Sequence, residues 1–494
     1  MNNVLDIIQN TALEYHEKKH QLAYEAENSL PYMTISTKAK NYLKAGVLCD
    51  VFEGHSPYRP RYILPDYQKF MKNGCDYLNI PVPANLYEAI NALLIFYRYV
   101  PSITGYPVYL GQADEILEEY KDTVSPAELE NLLRMFLIHI DRTLPDAFVH
   151  MNIGPKDTVI GRTILKLEKE LKKAVPNLSL KYDANTPDEF AKLALDTALT
   201  TGKPYFVHHT ALCNTLGENY GIASCYNTLL IGGGSHTLVR LNLKEAAKCS
   251  TSYEDFLSRI LPEAIHALCE VINARASFLV EEAKFFESSF LAREGFIDLS
   301  NFTSMAGVFG LYECIETLSG GLKLGTDSKA KDMAKEILKK ACTLLKEQPG
   351  AYCQGTDGKI GFHAQSGIDC DKDVTAGVRI RIGDEPQLFE QIKIAAALQQ
   401  YFDTGVSDIY LFDATAQQNL DGLLTIVKGA IKQGLRTMAI NRHDGDLVRI
   451  TGYLVKRTDI EKYSACQPTR EDTVKLGVNS IKNHNILGRT VHKL

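Results

Sequence analysis

One glycine inside a run otherwise written for β-structure constrains this chain more than any other feature. In Asp446-Leu-Val-Arg-Ile-Thr-Gly-Tyr-Leu-Val455, the positions around Gly452 are β-branched, aromatic or aliphatic: Leu447, Val448, Ile450, Thr451, Tyr453, Leu454 and Val455. Strand interiors exclude glycine unless something must approach the backbone closely there. Residues 436–441 read as a preceding strand and 442–446, with an Asp-Gly pair, as a turn. The spacing therefore predicts a hairpin with Gly452 deep in its return strand. The mundane explanation is a bulge or a tight packing spot.

A sharper one comes from the neighbouring letters. Arg449-Ile-Thr-Gly-Tyr453 resembles the Arg-Val-Ser/Ala-Gly-Tyr signature of glycyl radical enzymes. The chemistry explains the glycine: loss of a hydrogen atom from Cα leaves an unpaired electron between an amide nitrogen and a carbonyl. Delocalisation is best when that centre is planar, and a side chain would crowd the plane. Such an electron is useful only if a second atom relays it to substrate. A cysteine suits, because its S–H bond is weak enough for reversible exchange.

The matching cysteine is Cys225. Pro176-Asn-Leu178, Thr186-Pro-Asp-Glu-Phe190 and Gly202-Lys-Pro204 stand in the order in which the same family leads towards its cysteine loop, and Glu218-Asn-Tyr-Gly-Ile-Ala-Ser-Cys-Tyr-Asn227 resembles that loop. Taken alone, Cys225 would more often be a buried core thiol. Thr237-Leu-Val-Arg-Leu-Asn-Leu243 resembles a strand of the anaerobic ribonucleotide reductases. In length and layout the chain is most similar to the YjjI family of glycine radical enzymes.

Bulk properties exclude other classes. Hydrophobic residues make up 45% and charged residues 23% of 494, enough for a large soluble core. A net charge of −6 without a block of like charge argues against nucleic acid or an anionic membrane as the main partner. The longest apolar run, Ala92–Tyr97, is too short to span a bilayer, and the N-terminus lacks a secretory pattern, so a cytoplasmic protein is expected. The 11 cysteines are scattered without a Cys-x-x-Cys, as in a chain of reduced thiols.

Other motifs weigh less. His16-Glu-Lys-Lys-His20 matches a zinc-peptidase helix in form, but Glu14, Lys18, Lys19, Gln21 and Glu25 make it a solvated charged face. Leu229–His236, with three adjacent glycines, reads as a flexible loop and not as a phosphate loop. A helical stretch at 253–296 carries a break at Pro262, and the polar run 352–371, with His363, reads as a substrate-facing loop. No metal-ligand spacing stands out there. Alternating strand and helix patterns from 148 onward give an α/β class.

The resemblance implies the rest. It implies a ten-stranded α/β barrel of two five-stranded halves with outer helices, the glycine loop and the cysteine loop meeting inside. Residues 1–140 would be a mostly helical part packed on the barrel; 141–494 would be the catalytic unit, with 436–494 as the glycine segment. A radical S-adenosylmethionine activase would install the radical at Gly452, so no bound cofactor or metal is expected, and a homodimer is implied. Arg449 and Tyr453 would support the radical loop, and Cys225 would become a thiyl. His208, Asn227, His236, Arg240 and His363 are candidate substrate contacts. Departures narrow the reaction. Asn227 stands where radical dehydratases carry a glutamate base, Ser224 where pyruvate formate-lyases carry a second cysteine, and the four-cysteine zinc site of the reductases is missing. A small hydroxylated substrate, sugar- or nucleoside-like, in anaerobic metabolism is the expectation. The alternatives are a formate acetyltransferase-like C–C lyase, or a reductase related to the anaerobic ribonucleotide reductases. A metallopeptidase on His16, Glu17 and His20, or a non-catalytic replacement for a damaged glycine segment, are readings of other classes, and Cys225 argues against the second.

Overall fold

The computed structural model describes residues 3–11, 13–27, 29, 34–49, 58–365, 371–471 and 473–494. Its first sheet has six strands, built from two parallel trios. His150–Ile153, Asn177–Tyr182 and Tyr205–His208 form one trio; Thr437–Arg442, Asp408–Phe412 and Val491–His492 form the other. They join antiparallel where Thr437 faces Val207 and Met438 faces Phe206. The strands of the first trio are connected by the helices Val159–Leu171 and Asp188–Thr201, as expected from the strand, helix, strand order of the sequence.

The second sheet has five strands. Gly233–Asn242, Phe302–Phe309 and Gly361–Ala364 run parallel, while the short strands Leu48–Cys49 and Tyr62–Leu64 pair antiparallel with the first of them. Among the described residues, no ladder of hydrogen bonds joins the two sheets into one closed sheet. The long helix Leu261–Ser277 covers the outer face of this sheet, so Val239, Leu241, Ala306 and Val308 share its core.

Several local expectations change. The triple glycine is not a loop: Gly233 and Gly234 lie in a strand, because a Cβ on either would stand 2.2 Å from the Asn301 carbonyl oxygen or 2.0 Å from that of Tyr62. Only glycine allows the neighbouring chains so close. Pro262 does not break its helix. It sits in the first turn of Leu261–Ser277, preceded by a widened turn over Phe256–Ile260, where a proline N–H is not needed. The polar run 352–371 contains the buried strand Gly361–Ala364, while 366–370 lie outside the described residues.

The largest change concerns Gly452. Thr437–Arg442 belongs to the six-stranded sheet, and Leu447–Arg449 pairs instead with Leu454–Lys456 in a separate two-stranded hairpin. The Ile450 N–H donates to the Tyr453 carbonyl at 2.9 Å, so Gly452 is at the hairpin tip rather than deep in a return strand. A second small hairpin, Tyr220–Ala223 with Asn227–Leu230, carries Cys225 at its own tip. The helices Leu86–Tyr97 and Pro126–Thr143 share a continuous apolar core with the six-stranded sheet.

Candidate active site

Gly452 is buried, and its carbonyl is the focus of three donors. Tyr205 Oη donates to it at 2.7 Å, Asn177 Nδ2 at 3.0 Å and Arg449 Nη1 at 3.4 Å. Asn177 and Tyr205 open neighbouring strands of the first trio, which is why residues 28 apart in sequence meet at one oxygen. Arg449 also donates to the Gly202 carbonyl and to Asn441 Oδ1, and its guanidinium lies 3.9 Å from the Tyr205 ring centroid. Carbonyl dipoles and the aromatic face thus replace water around a buried cation. One residue earlier, the Thr451 carbonyl accepts from Arg379 at 3.3 Å, and Arg379 is itself held by the Ser407 carbonyl at 2.9 Å.

The cysteine hairpin is fixed by different means. Asn152 forms a reciprocal pair with the Ile222 backbone, donating to its carbonyl and accepting from its N–H, both at 2.8 Å. Ser224, at φ +59°, takes the left-handed conformation that bends the tip, and its N–H donates to Val108 at 2.8 Å. His150 holds the Ser224 carbonyl through Nδ1 and accepts the Ser179 hydroxyl at Nε2 at 2.8 Å. Burial lowers the His150 pKa to about 3, so the ring is neutral with its proton on Nδ1, the only assignment that lets it serve both partners. Cys225 follows, 8% exposed. It shares one apolar cluster with Tyr205, Tyr226, Val448, Ile450 and Tyr453, and is within electrostatic reach of Tyr205 and Arg449. The two hairpins therefore share one buried cluster.

The family model "Glycyl radical enzyme YjjI-like" matches residues 13–492. The chain belongs to the YjjI-like family of glycyl radical enzymes. It is 39% identical over 491 residues to the YjjI protein of Escherichia coli strain K12, covering 98% of this chain and 94% of that one. Its fold is similar to that of hydroxyproline dehydratase from Clostridioides difficile, with a TM-score of 0.72 at 12% identity over 100% of this chain and 88% of the other. It is equally similar to an anaerobic ribonucleotide reductase, with a TM-score of 0.72 at 10% identity, covering 100% and 94%.

In this YjjI-like enzyme the remaining candidates divide. Tyr453 packs edge-on against Phe148 at 5.2 Å, beside the glycine. His363 stacks on Tyr226 at 5.6 Å, next to Cys225, with Nδ1 donating to the Thr404 carbonyl at 3.0 Å. Burial lowers its pKa to about 4, so it is a neutral ring with Nε2 able to accept. Asn227 closes the cysteine hairpin through Nδ2 to the Ala223 carbonyl at 3.1 Å, and its buried Oδ1 has no partner among the described residues. Arg240 is committed to a buried ion pair with Asp371 at 2.7 Å and lies over Phe309. His236 is a core residue: it stacks on Phe302 at 5.2 Å and bonds the Tyr352 carbonyl at 2.9 Å. His208 falls on the Phe206 face of its strand, opposite Tyr205 and Val207, and so points away from the cysteine.

In the helix Tyr15–Glu27, His20 packs against Tyr106 at 5.1 Å, and the His16 side chain lies outside the described ones. Among the described residues, no group of three or more His, Cys, Asp or Glu is placed to hold a metal ion, and no helix is long and apolar enough to cross a membrane.

Asn177, Tyr205, Arg379 and His150 were not singled out from the sequence. Two of them had a signal. Asn177 is inside Pro176-Asn-Leu178, and Tyr205 directly follows Gly202-Lys-Pro204. Lys203 Nζ donates to the Pro176 carbonyl and pairs with Glu168 at 2.8 Å in the interior, so the two motifs are stapled together under the glycine.

Proposed function

We propose that this enzyme stores an unpaired electron on Gly452 and relays it through Cys225 to a small hydroxylated substrate, sugar- or nucleoside-like, in oxygen-free metabolism. The observation that carries this reading is the meeting of two hairpin tips, one glycine and one cysteine, in a single buried apolar cluster. A radical S-adenosylmethionine activase removes one hydrogen atom from the Gly452 Cα. The Cys225 thiol then gives its hydrogen atom to Gly452, leaving a thiyl. The thiyl takes hydrogen from a substrate carbon and returns it after the substrate has rearranged. The protein's share is to exclude water and hold the reacting atoms in line.

Two neutral acceptors at the cysteine hairpin, the Asn227 Oδ1 that lacks a partner among the described residues and the His363 ring stacked on Tyr226, suit hydroxyl groups better than anions. In this reading the two sheets, of six and five strands, act as the two halves of a barrel around the tips. Residues 1–140 brace the catalytic unit 141–494, the segment 436–494 presents Gly452 to the activase, and the protein works as a cytoplasmic homodimer. Anaerobic incubation with activase, reductant and S-adenosylmethionine should give a doublet in electron paramagnetic resonance that is lost in Gly452→Ala. The same signal in that variant would overturn the assignment.

A further inference from the structure

We infer that the donors on the Gly452 carbonyl are electronic as well as structural: Tyr205 Oη, Asn177 Nδ2 and Arg449 Nη1 make Gly452, rather than Cys225, the resting place of the electron. This rests on the reading of Gly452 as the radical site. A buried carbonyl is satisfied by one or two donors, and a hairpin tip asks for no more. Here three converge, from two strands and from the hairpin itself, with the two neutral donors at 2.7 and 3.0 Å.

Closed-shell glycine has a tetrahedral Cα that isolates its nitrogen from its carbonyl. Once a hydrogen atom leaves, the planar Cα conjugates the two, and the nitrogen can push electron density onto the carbonyl oxygen. Donors already aimed at that oxygen stabilise the radical more than the parent glycine, in the way that preorganised donors favour charge that develops only during reaction. Burial raises the Tyr205 pKa, so its hydroxyl keeps the proton it donates.

The exchange they bias breaks one S–H bond at Cys225 and forms one C–H bond at Gly452, or the reverse, with no electron left over. Loss of one neutral donor should shift that equilibrium towards the thiyl by roughly fivefold, the ratio that corresponds to one ordinary hydrogen bond. It should also return spin density to Cα and widen the doublet produced by the remaining α-hydrogen.

The test uses the full-length protein with Tyr205→Phe and, independently, Asn177→Leu. The second variant removes the Nδ2 donor without adding a charge, together with the Oδ1 that accepts from the Leu178 N–H at 3.0 Å. Tyr97→Phe is the control, since it removes an equally buried hydroxyl from a remote carbonyl, that of Leu110 at 2.8 Å. The expected result is a wider doublet and a smaller glycyl fraction in whichever of the two test variants folds, and the parent spectrum in the control. Parent splitting in the test variants, or the same widening in Tyr97→Phe, would overturn the inference while leaving Gly452 as the radical site. A parent protein that never yields a doublet would instead remove the reading beneath it.

Discussion

The cysteine hairpin and the glycine hairpin are similar in size and each carries one of the two proposed radical residues at a two-stranded tip, yet they are anchored differently. The cysteine hairpin is tied by reciprocal side-chain and backbone bonds from Asn152, by His150 bridging Ser224 to Ser179, and by the backbone of Val108. Its partners come mostly from one edge strand, and they clamp both N–H and C=O groups. The glycine hairpin is instead held at its tip by donors aimed at two carbonyls, those of Thr451 and Gly452. At its base, Arg457 bonds the carbonyls of His443 and Gly445, within the same C-terminal segment. The difference teaches that both hairpins stand outside the two large sheets but are secured in different ways: the cysteine hairpin is bonded backbone to backbone at Val108 and Thr404, whereas the glycine tip is gripped by the side chains of Asn177, Tyr205 and Arg379.

Three changes test this contrast. The largest effect is expected for Cys225→Ser: turnover should fall by at least roughly a thousandfold, because a serine O–H is too strong to exchange with a glycyl radical. The radical at Gly452 should still form, because in the proposed scheme hydrogen is removed from the glycine before the thiol takes part. A parallel loss of both signals would show that the two hairpins are not independent.

A smaller effect is expected for His150→Phe, which keeps a ring in the core but unties Ser224 and Ser179. Turnover should fall by about 10–100-fold through misplacement of Cys225, with the yield of glycyl radical unchanged. Faster hydrogen exchange confined to residues 220–230 would locate the loosening. Exchange that spreads to 447–456 would contradict separate anchoring.

The smallest effect concerns the C-terminal end of the glycine segment. Glu471 is buried near Asp141, and desolvation followed by repulsion from Asp141 raises its pKa to about 8. In the unfolded chain the same group ionises near its ordinary value of about 4. Between these two pH values the unfolded state gives up its proton first, so stability falls as pH rises and levels off above about pH 8. Glu471→Gln should therefore raise the thermal midpoint by a few degrees, about 2 °C or more, above pH 8 and leave it unchanged near pH 4, as scanning calorimetry can measure. An equal gain at both pH values would mean that folding does not shift the ionisation of this carboxyl.

Much was legible in the sequence because it is local. The alternation of strand and helix from 148 onward follows from hydrophobic period, and the structure has it, with the helix Asp188–Thr201 between the strands Asn177–Tyr182 and Tyr205–His208. The glycine and cysteine strings each sit in one stretch of chain, and together they marked the family that the whole-chain match then established.

What failed depended on neighbours distant in sequence. Gly233 and Gly234 read as a loop because glycine disfavours strands, and only the carbonyls of Asn301 and Tyr62 pressing on them reveal a strand. Imidazoles look alike in a sequence: His363 stacks on Tyr226, the residue that follows Cys225, whereas His236 stacks on Phe302 and His208 falls on the Phe206 face of its strand. By itself, then, the sequence determined which glycine and which cysteine to examine, since those are properties of short strings. Tertiary structure alone decided that Asn177, Tyr205 and Arg449 meet on one carbonyl, because that convergence depends on parallel strand register and on burial, and neither is written in any single segment.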